Sequence, residues 1–338
     1  LRKTAVLWLS IVLLISLSIT GCSDSAGQRG DTGTQEDEML VYATIYPVYD
    51  FAARICGDRA RVVQLVPDGV EPHDWEPSPG DMVNLQKAGV LIYNGAGMET
   101  WVEKVLAGLK KGGPVPVDCS AGIALLPVDG PAHGHQHPLE TAGHDAHTGG
   151  HDDGYGHGSN IDPHIWLDPQ NACKMVDNIL RGVQQADPEN AAYYEANARQ
   201  YQEQLKQLDQ RYAETLGGAG MRKFIVSHAA FGYLAHRYGL EQVPIRGISP
   251  EADPSPARMT EIIKTVRQEG VKYIFFETLV SPRVSEVIAR EAGAETLVLN
   301  PLGGLTAGER QAGKDYLAVM EENLHNLSLA LGVIENHD

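Results

Sequence analysis

From Met39 onward, short apolar runs alternate with amphipathic stretches, and this rhythm restricts the fold more than any other feature of the chain. Leu40 to Ile45, Arg61 to Val66 and Val90 to Asn94 read as strands, each followed by a helical pattern. Those helices run through Phe51 to Ile55, from Ser78 with Pro79 in the first turn, and from about Glu99 to Lys110. A second set follows after residue 217. Strands at Lys223 to Val226, Val271 to Phe276 and Glu295 to Leu299 alternate with helices at Pro256 to Gln268, Pro282 to Glu291 and Lys314 to Leu331. Strands spaced by helices demand crossover connections, so each set predicts a parallel sheet covered by helices on both faces.

Between the two sets, a helix from about Pro169 to Gln185 precedes a longer helical stretch, Asn190 to Leu216. Its Tyr194, Ala198, Tyr201, Leu205, Leu208 and Tyr212 recur at three- and four-residue spacing. At about 1.5 Å per residue this helix is on the order of 40 Å long, enough to run the height of two lobes. The expected class is therefore α/β: an N-terminal lobe over residues 40–188, a linking helix over 189–216 and a C-terminal lobe over 217–338.

The N-terminus reads as an export signal. Arg2 and Lys3 precede the apolar stretch Ala5 to Thr20, which is shorter than the roughly 20 residues needed to span a bilayer. It ends in Ile19-Thr20-Gly21-Cys22, which resembles a bacterial lipobox with Cys22 as the lipidated first residue of the mature chain. Residues 22–39 are polar and rich in Gly, Ser and Asp, the composition of a tether. The net charge is −17, and removing residues 1–21 takes away Arg2 and Lys3 and no acid, which makes it −19. A body that acidic argues against nucleic acid as a partner and suits a protein that attracts cations. Cys56, Cys119 and Cys173 form no Cys-x-x-Cys pair, and no disulfide is expected.

Histidine marks the chemistry. His133, His135, His137, His144, His147, His151 and His157 crowd a Gly- and Asp-rich stretch, residues 132–158, with neither helical nor strand period. Neutral imidazoles at that density point to metal contact, as an auxiliary loop for zinc, copper or nickel. Three others have different surroundings. His73 lies in EPHDWEPSP, His164 in DPHIWLDP, and His228 ends the strand that begins at Lys223. Ligands of open α/β sheets collect beyond the carboxyl ends of strands, so a site shared by these three would lie between the lobes.

EPHDWEPSP, DPHIWLDP and VSHAAFGYLAHRYGL together resemble the histidine motifs of bacterial solute-binding proteins for metal uptake, the cluster A-I (cluster 9) family of zinc and manganese ABC transporters. The similarity extends through FFETLVSPRVSEVIAREAGAETLVLNPLGGL to the DYLAVMEENLHNLSLAL ending, from Leu40 to Leu331. It implies two Rossmann-like lobes joined by one rigid helix, a metal ion between them, and His73, His164 and His228 as its ligands. Manganese-type relatives carry Glu where this chain has His228, and three imidazoles suit Zn²⁺ better than Mn²⁺. Relatives commonly have a carboxylate at the position of Asn300, so the fourth ligand is open between Asn300, Glu71, Glu277 and water, with water preferred. Glu277 has a second role open to it, as an acceptor that orients a histidine. Trp75 and Trp166 are expected to wall the cleft, and His236 and His325 to be surface or packing residues. The resemblance implies a monomeric, lipid-anchored carrier on the outer face of the cytoplasmic membrane that hands zinc to an ABC permease. The alternatives are a manganese or iron carrier or adhesin of the same family, or a zinc hydrolase. No His-Glu-x-x-His or nucleophile elbow favours the hydrolase, and no enzymatic activity is expected.

Overall fold

Each half of the alternation closes on itself as a parallel sheet. In the computed structural model, which describes residues 38–128 and 161–334, the first half is β1 (Met39–Ala43), α1 (Tyr46–Cys56), β2 (Ala60–Gln64), α2 (Pro79–Leu85), β3 (Val90–Tyr93), α3 (Val102–Gly108) and β4 (Val115–Asp118). Helices α4 (Pro169–Ala186) and α5 (Ala191–Gly217) follow. The second half is β5 (Lys223–Val226), α6 (Gly232–Tyr238), β6 (Glu241–Pro244), α7 (Pro256–Glu269), β7 (Tyr273–Phe276), α8 (Arg283–Ala292), β8 (Glu295–Val298), α9 (Ala307–Gln311) and α10 (Tyr316–Ala330). The strand orders are β2-β1-β3-β4 and β6-β5-β7-β8, with every pairing parallel. In both sheets the order reverses between the two central strands, which opens a crevice at their carboxyl ends.

The two-residue period of the strands sorts side chains between cores. Val41 and Ala43 of β1, Val90 and Ile92 of β3, Phe224 and Val226 of β5 and Phe275 of β7 face one large apolar cluster. Their neighbours point the other way: Leu91 joins Leu85 and Trp101 under α2 and α3, while Ile225 and Ile274 join Ile262 and Ile288 under α7 and α8. The large cluster belongs to both sheets because α5 runs through it. Tyr194, Ala198, Tyr201, Leu205, Leu208, Tyr212 and Leu216 form its buried stripe, and α1, α4 and α10 pack against it. The long helix is thus a shared core element rather than a bare connector. Each buried leucine of the stripe contributes about 1.5–3 kcal/mol by its removal from water.

Polar ties reinforce the junction. Buried Asp50 of α1 accepts from Tyr201 of α5 at 3.1 Å and from Arg54 at 3.1 Å, and Arg54 reaches Asp315 ahead of α10 at 2.5 Å. Trp166 donates its indole N–H to the Pro301 carbonyl at 2.8 Å, while Tyr316 donates to the carbonyl of Trp166 at 2.6 Å.

The periodicity leaves β4 and β6 unread. Both are edge strands, and both contain proline, Pro116 and Pro244, which an edge tolerates because it needs ladder hydrogen bonds on one side only. Glycine permits close contact where α4 crosses β4, since a Cβ on Gly182 would lie 2.1 Å from Val117. Cys56, Cys119 and Cys173 are free thiols. Among the described residues, no helix is long and apolar enough to cross a membrane. Cys22, residues 22–37 of the tether and the seven clustered histidines lie outside the described residues, while Met39, expected to end the tether, instead opens β1.

Candidate metal centre

His228 stands just past the end of β5 and Glu277 just past the end of β7, neighbouring strands at the reversal point of the second sheet. Both are buried, and Nδ1 of His228 meets Oε1 of Glu277 at 2.6 Å. His164 arrives from the segment ahead of α4. Asp162 accepts both its backbone N–H at 2.9 Å and its Nδ1–H at 2.8 Å, which seats the ring against its own backbone. His73 sits in a single 3₁₀ turn, Pro72–Asp74, on the long loop after β2, where Glu71 accepts its backbone N–H at 3.4 Å. That loop rests on the second half of the chain. Gly69 donates to the Leu305 carbonyl at 2.8 Å, and a Cβ on Gly303 would come within 2.9 Å of the Pro72 ring.

The three imidazoles converge. Nε2 of His164 lies 3.1 Å from Nε2 of His73 and 3.3 Å from Nε2 of His228, and one ligand atom from each ring falls within 4.8 Å of the others. The carboxylates decide what these nitrogens present. With Nδ1–H of His164 and His228 given to Asp162 and Glu277, the Nε2 lone pairs of both rings face inward. Facing lone pairs repel unless a proton or a cation lies between them. Zn–N bonds of about 2.0–2.1 Å at tetrahedral angles separate neighbouring nitrogens by about 3.3 Å, close to both observed separations.

Burial and charge set the protonation. Burial, with positive charge on His164 and His228 as the second influence, pulls His73 down to about 2. Burial likewise holds His164 well below the ordinary imidazole range. His228 goes the other way: burial lowers it, but the carboxylate of Glu277 outweighs that and leaves it raised. Burial lifts Asp162 and Glu71 to about 7. A metal-free centre therefore keeps its proton at His228, where Nε2–H faces the lone pair of His164.

Asn300 is buried, but its Nδ2 donates to Glu309 at 3.0 Å and its Oδ1 accepts from Leu302 N–H at 2.8 Å. Glu277 is engaged with His228 as described. Trp166 packs beside His164 at a ring separation of 5.2 Å, whereas Trp75 turns to Trp101 at 5.5 Å. His236 and His325 are exposed.

Two positioning groups escape a reading of the sequence. Asp162 is one, although an acid two residues before a histidine can fold back onto both of its N–H groups. Asn94 is the other: it follows β3 and donates to the Pro163 carbonyl at 2.9 Å, holding the His164 segment against the first sheet. Glu99 fixes Asn94 by accepting its backbone N–H at 2.9 Å and that of Gly95 at 3.1 Å. Between them Gly95, Ala96 and Gly97 all take positive φ, and that Gly-x-Gly after a strand is the signal the sequence offered.

Comparison with known proteins gives one consistent picture. Residues 41–330 match the family model described as ZnuA, zinc-uptake complex component A, periplasmic. The high-affinity zinc uptake system protein ZnuA of Bacillus subtilis is 38% identical over 323 residues, covering 96% of this chain and 97% of that protein. The zinc-binding lipoprotein AdcA of Streptococcus pneumoniae is 37% identical over 320 residues, 94% of this chain and 60% of that longer protein. The crystal structure of the Zn(II)-bound ZnuA-like domain of Streptococcus pneumoniae AdcA superposes with a TM-score of 0.72 at 36% identity, covering 87% of this chain and 99% of that one.

Proposed function

The chain belongs to the ZnuA family of zinc-uptake components, and from that membership we propose that it is an extracytoplasmic zinc carrier that delivers Zn²⁺ to an ABC permease. The observation that carries the reading is the convergence of three Nε2 atoms from one half-buried and two buried rings, two of them turned inward by carboxylates on Nδ1. His73, His164 and His228 are the protein ligands, and a water takes the fourth position ahead of Glu71, since Asn300 and Glu277 are engaged elsewhere. Three neutral imidazoles favour Zn²⁺ over Mn²⁺, which prefers carboxylate oxygens. Lipidation at Cys22 anchors the carrier outside the cytoplasmic membrane, and the polar residues that follow, up to β1, tether it there. The centre binds its ion without turning over a substrate.

Metal analysis of untagged protein purified without chelators, followed by competition between Zn²⁺ and Mn²⁺, tests this reading. One tightly held zinc per chain, not displaced by excess manganese, is expected; displacement by equimolar manganese refutes it. The seven histidines from His133 to His157 act as an auxiliary collector of lower affinity. Deleting residues 132–158 is expected to lower total zinc stoichiometry and leave the tight site unchanged in calorimetry. Loss of the tight site with the deletion would move the centre out of the cleft.

Binding has a definite pH dependence. His73 and His164 are neutral far below pH 7, so they contribute little proton competition. The proton on His228 must leave, and Asp162, at about 7, must ionise to receive the His164 Nδ1–H as a carboxylate. Affinity is expected to fall as pH drops below about 7. Glu277→Gln removes the group that raises His228, so the acid-side fall should become shallower. The same variant should lose about 10–100-fold in affinity at pH 8, because the ring loses its orienting acceptor. Chelator competition between pH 6 and pH 8 measures both; an unaltered profile in the variant refutes the role of Glu277.

A further inference from the structure

Arg246 follows β6 and is only 8% exposed, yet among the described residues no carboxylate lies within 4.0 Å of it. Its Nε is buried without a hydrogen-bond partner, and its one side-chain bond is a long one, Nη1 to Ser227 Oγ at 3.3 Å. A buried guanidinium left this bare is costly, and in folded proteins such groups are paired. Arg246 lines a cavity of about 670 Å³.

The start of α7 lines the same cavity. This helix is 14 residues long, carries no acidic residue in its first turn, and contributes Ser255, Ala257 and Arg258 to the lining. Ser255 Oγ caps the Arg258 N–H at 3.2 Å, while the Ala257 N–H has no partner among the described residues. Two positive features, a helix N-terminus and a bare arginine, therefore face one space. The acids nearby are largely spent. Glu261 pairs with Arg258 at 2.8 Å and Glu241 with Lys223 at 3.7 Å, which leaves Asp253 exposed at the rim.

We propose that this cavity is a binding site for a small oxyanion, an inorganic phosphate or sulfate or the carboxylate of a small acid, held between Arg246 and the N-terminus of α7. Arginine offers a planar fork of donors to such a ligand, and the helix start adds a free N–H and its dipole. The site is separate from the histidine centre and does not depend on the zinc reading. It borders the cleft through Ser227, which precedes His228 and accepts the Arg246 backbone N–H at 3.0 Å.

Thermal unfolding and calorimetry of the metal-free full chain test the proposal, with phosphate, sulfate and acetate titrated against sodium chloride at matched ionic strength. A saturable rise in Tm of about 2–4 °C beyond the chloride control is expected from ligand linkage. A response to phosphate or sulfate alone identifies an inorganic oxyanion, and a response to acetate alone identifies a carboxylate ligand. Arg246→Gln should weaken the response at least tenfold. Should that variant not fold, Ala257→Asp carries the test: it places a carboxylate at the helix start, on an exposed residue, and should abolish the response while raising Tm without anion. No response beyond chloride, or a full response in either folded variant, overturns the proposal.

Discussion

Replacing His164 by alanine is expected to abolish tight zinc binding while the protein stays folded. His164 is the middle ring of the three, its Nε2 lying 3.1 Å and 3.3 Å from the other two, so its loss removes the ligand nearest to both and leaves only His73 and His228. Zinc bound by a full set of protein ligands contributes about 10–16 kcal/mol, and losing one of three or four forfeits about 3–4 kcal/mol of it, roughly 10²–10³-fold in affinity. The fold should survive because the large apolar cluster around α5 does not depend on this ring. Metal-free stability should change little, since the variant also relieves the crowding of imidazole nitrogens. Exposed His236→Ala is the control and should bind as the unaltered protein does. Isothermal titration after chelator dialysis reads the outcome. A His164→Ala protein that still takes up one ion at unchanged affinity would remove His164 from the centre.

Zinc itself should raise the melting temperature substantially, and a chelator should reverse the rise. The unfolded chain has no means of holding three imidazoles within 4.8 Å of one another, so the ion binds the folded state almost exclusively. At a free concentration of about 1,000 times Kd, the linkage stabilises by about 4 kcal/mol. For a chain of this size that corresponds to roughly 6 °C. The gain should be smaller at pH 6 than at pH 8, because the proton retained on His228 competes with the ion on the acid side. Differential scanning with and without chelator, at pH 8 and pH 6, measures both effects. A melting temperature indifferent to zinc at pH 8 would mean that the three rings hold no ion.

Much of this architecture is legible in the chain because the signals are local. The alternation of Val41 and Ala43 with Tyr42, and of Val90 and Ile92 with Leu91, marks strands buried on two faces. The stripe from Tyr194 to Tyr212 marks the long helix, and the structure buries every one of those residues. Ser78 and Asp81 announce the start of α2 and form a reciprocal cap there. The edge strands are illegible for an equally local reason. Val115–Asp118 and Glu241–Pro244 are short, contain proline and are stabilised by one neighbour each, so register with β3 and β5 makes them strands where propensity does not.

The sequence alone determined the central strands and the long helices, and which histidines lie beside Pro and Asp or at a strand end, because those properties depend on neighbours a few residues away. Only the tertiary structure decided that His73 meets His164 across 91 positions, that His228 meets His164 across 64, and that Asp162 and Glu277 supply their acceptors. The physical reason is the crossover. A parallel sheet whose strand order reverses at its centre brings β5 beside β7 and sets their carboxyl ends together, and nothing in local periodicity encodes that order.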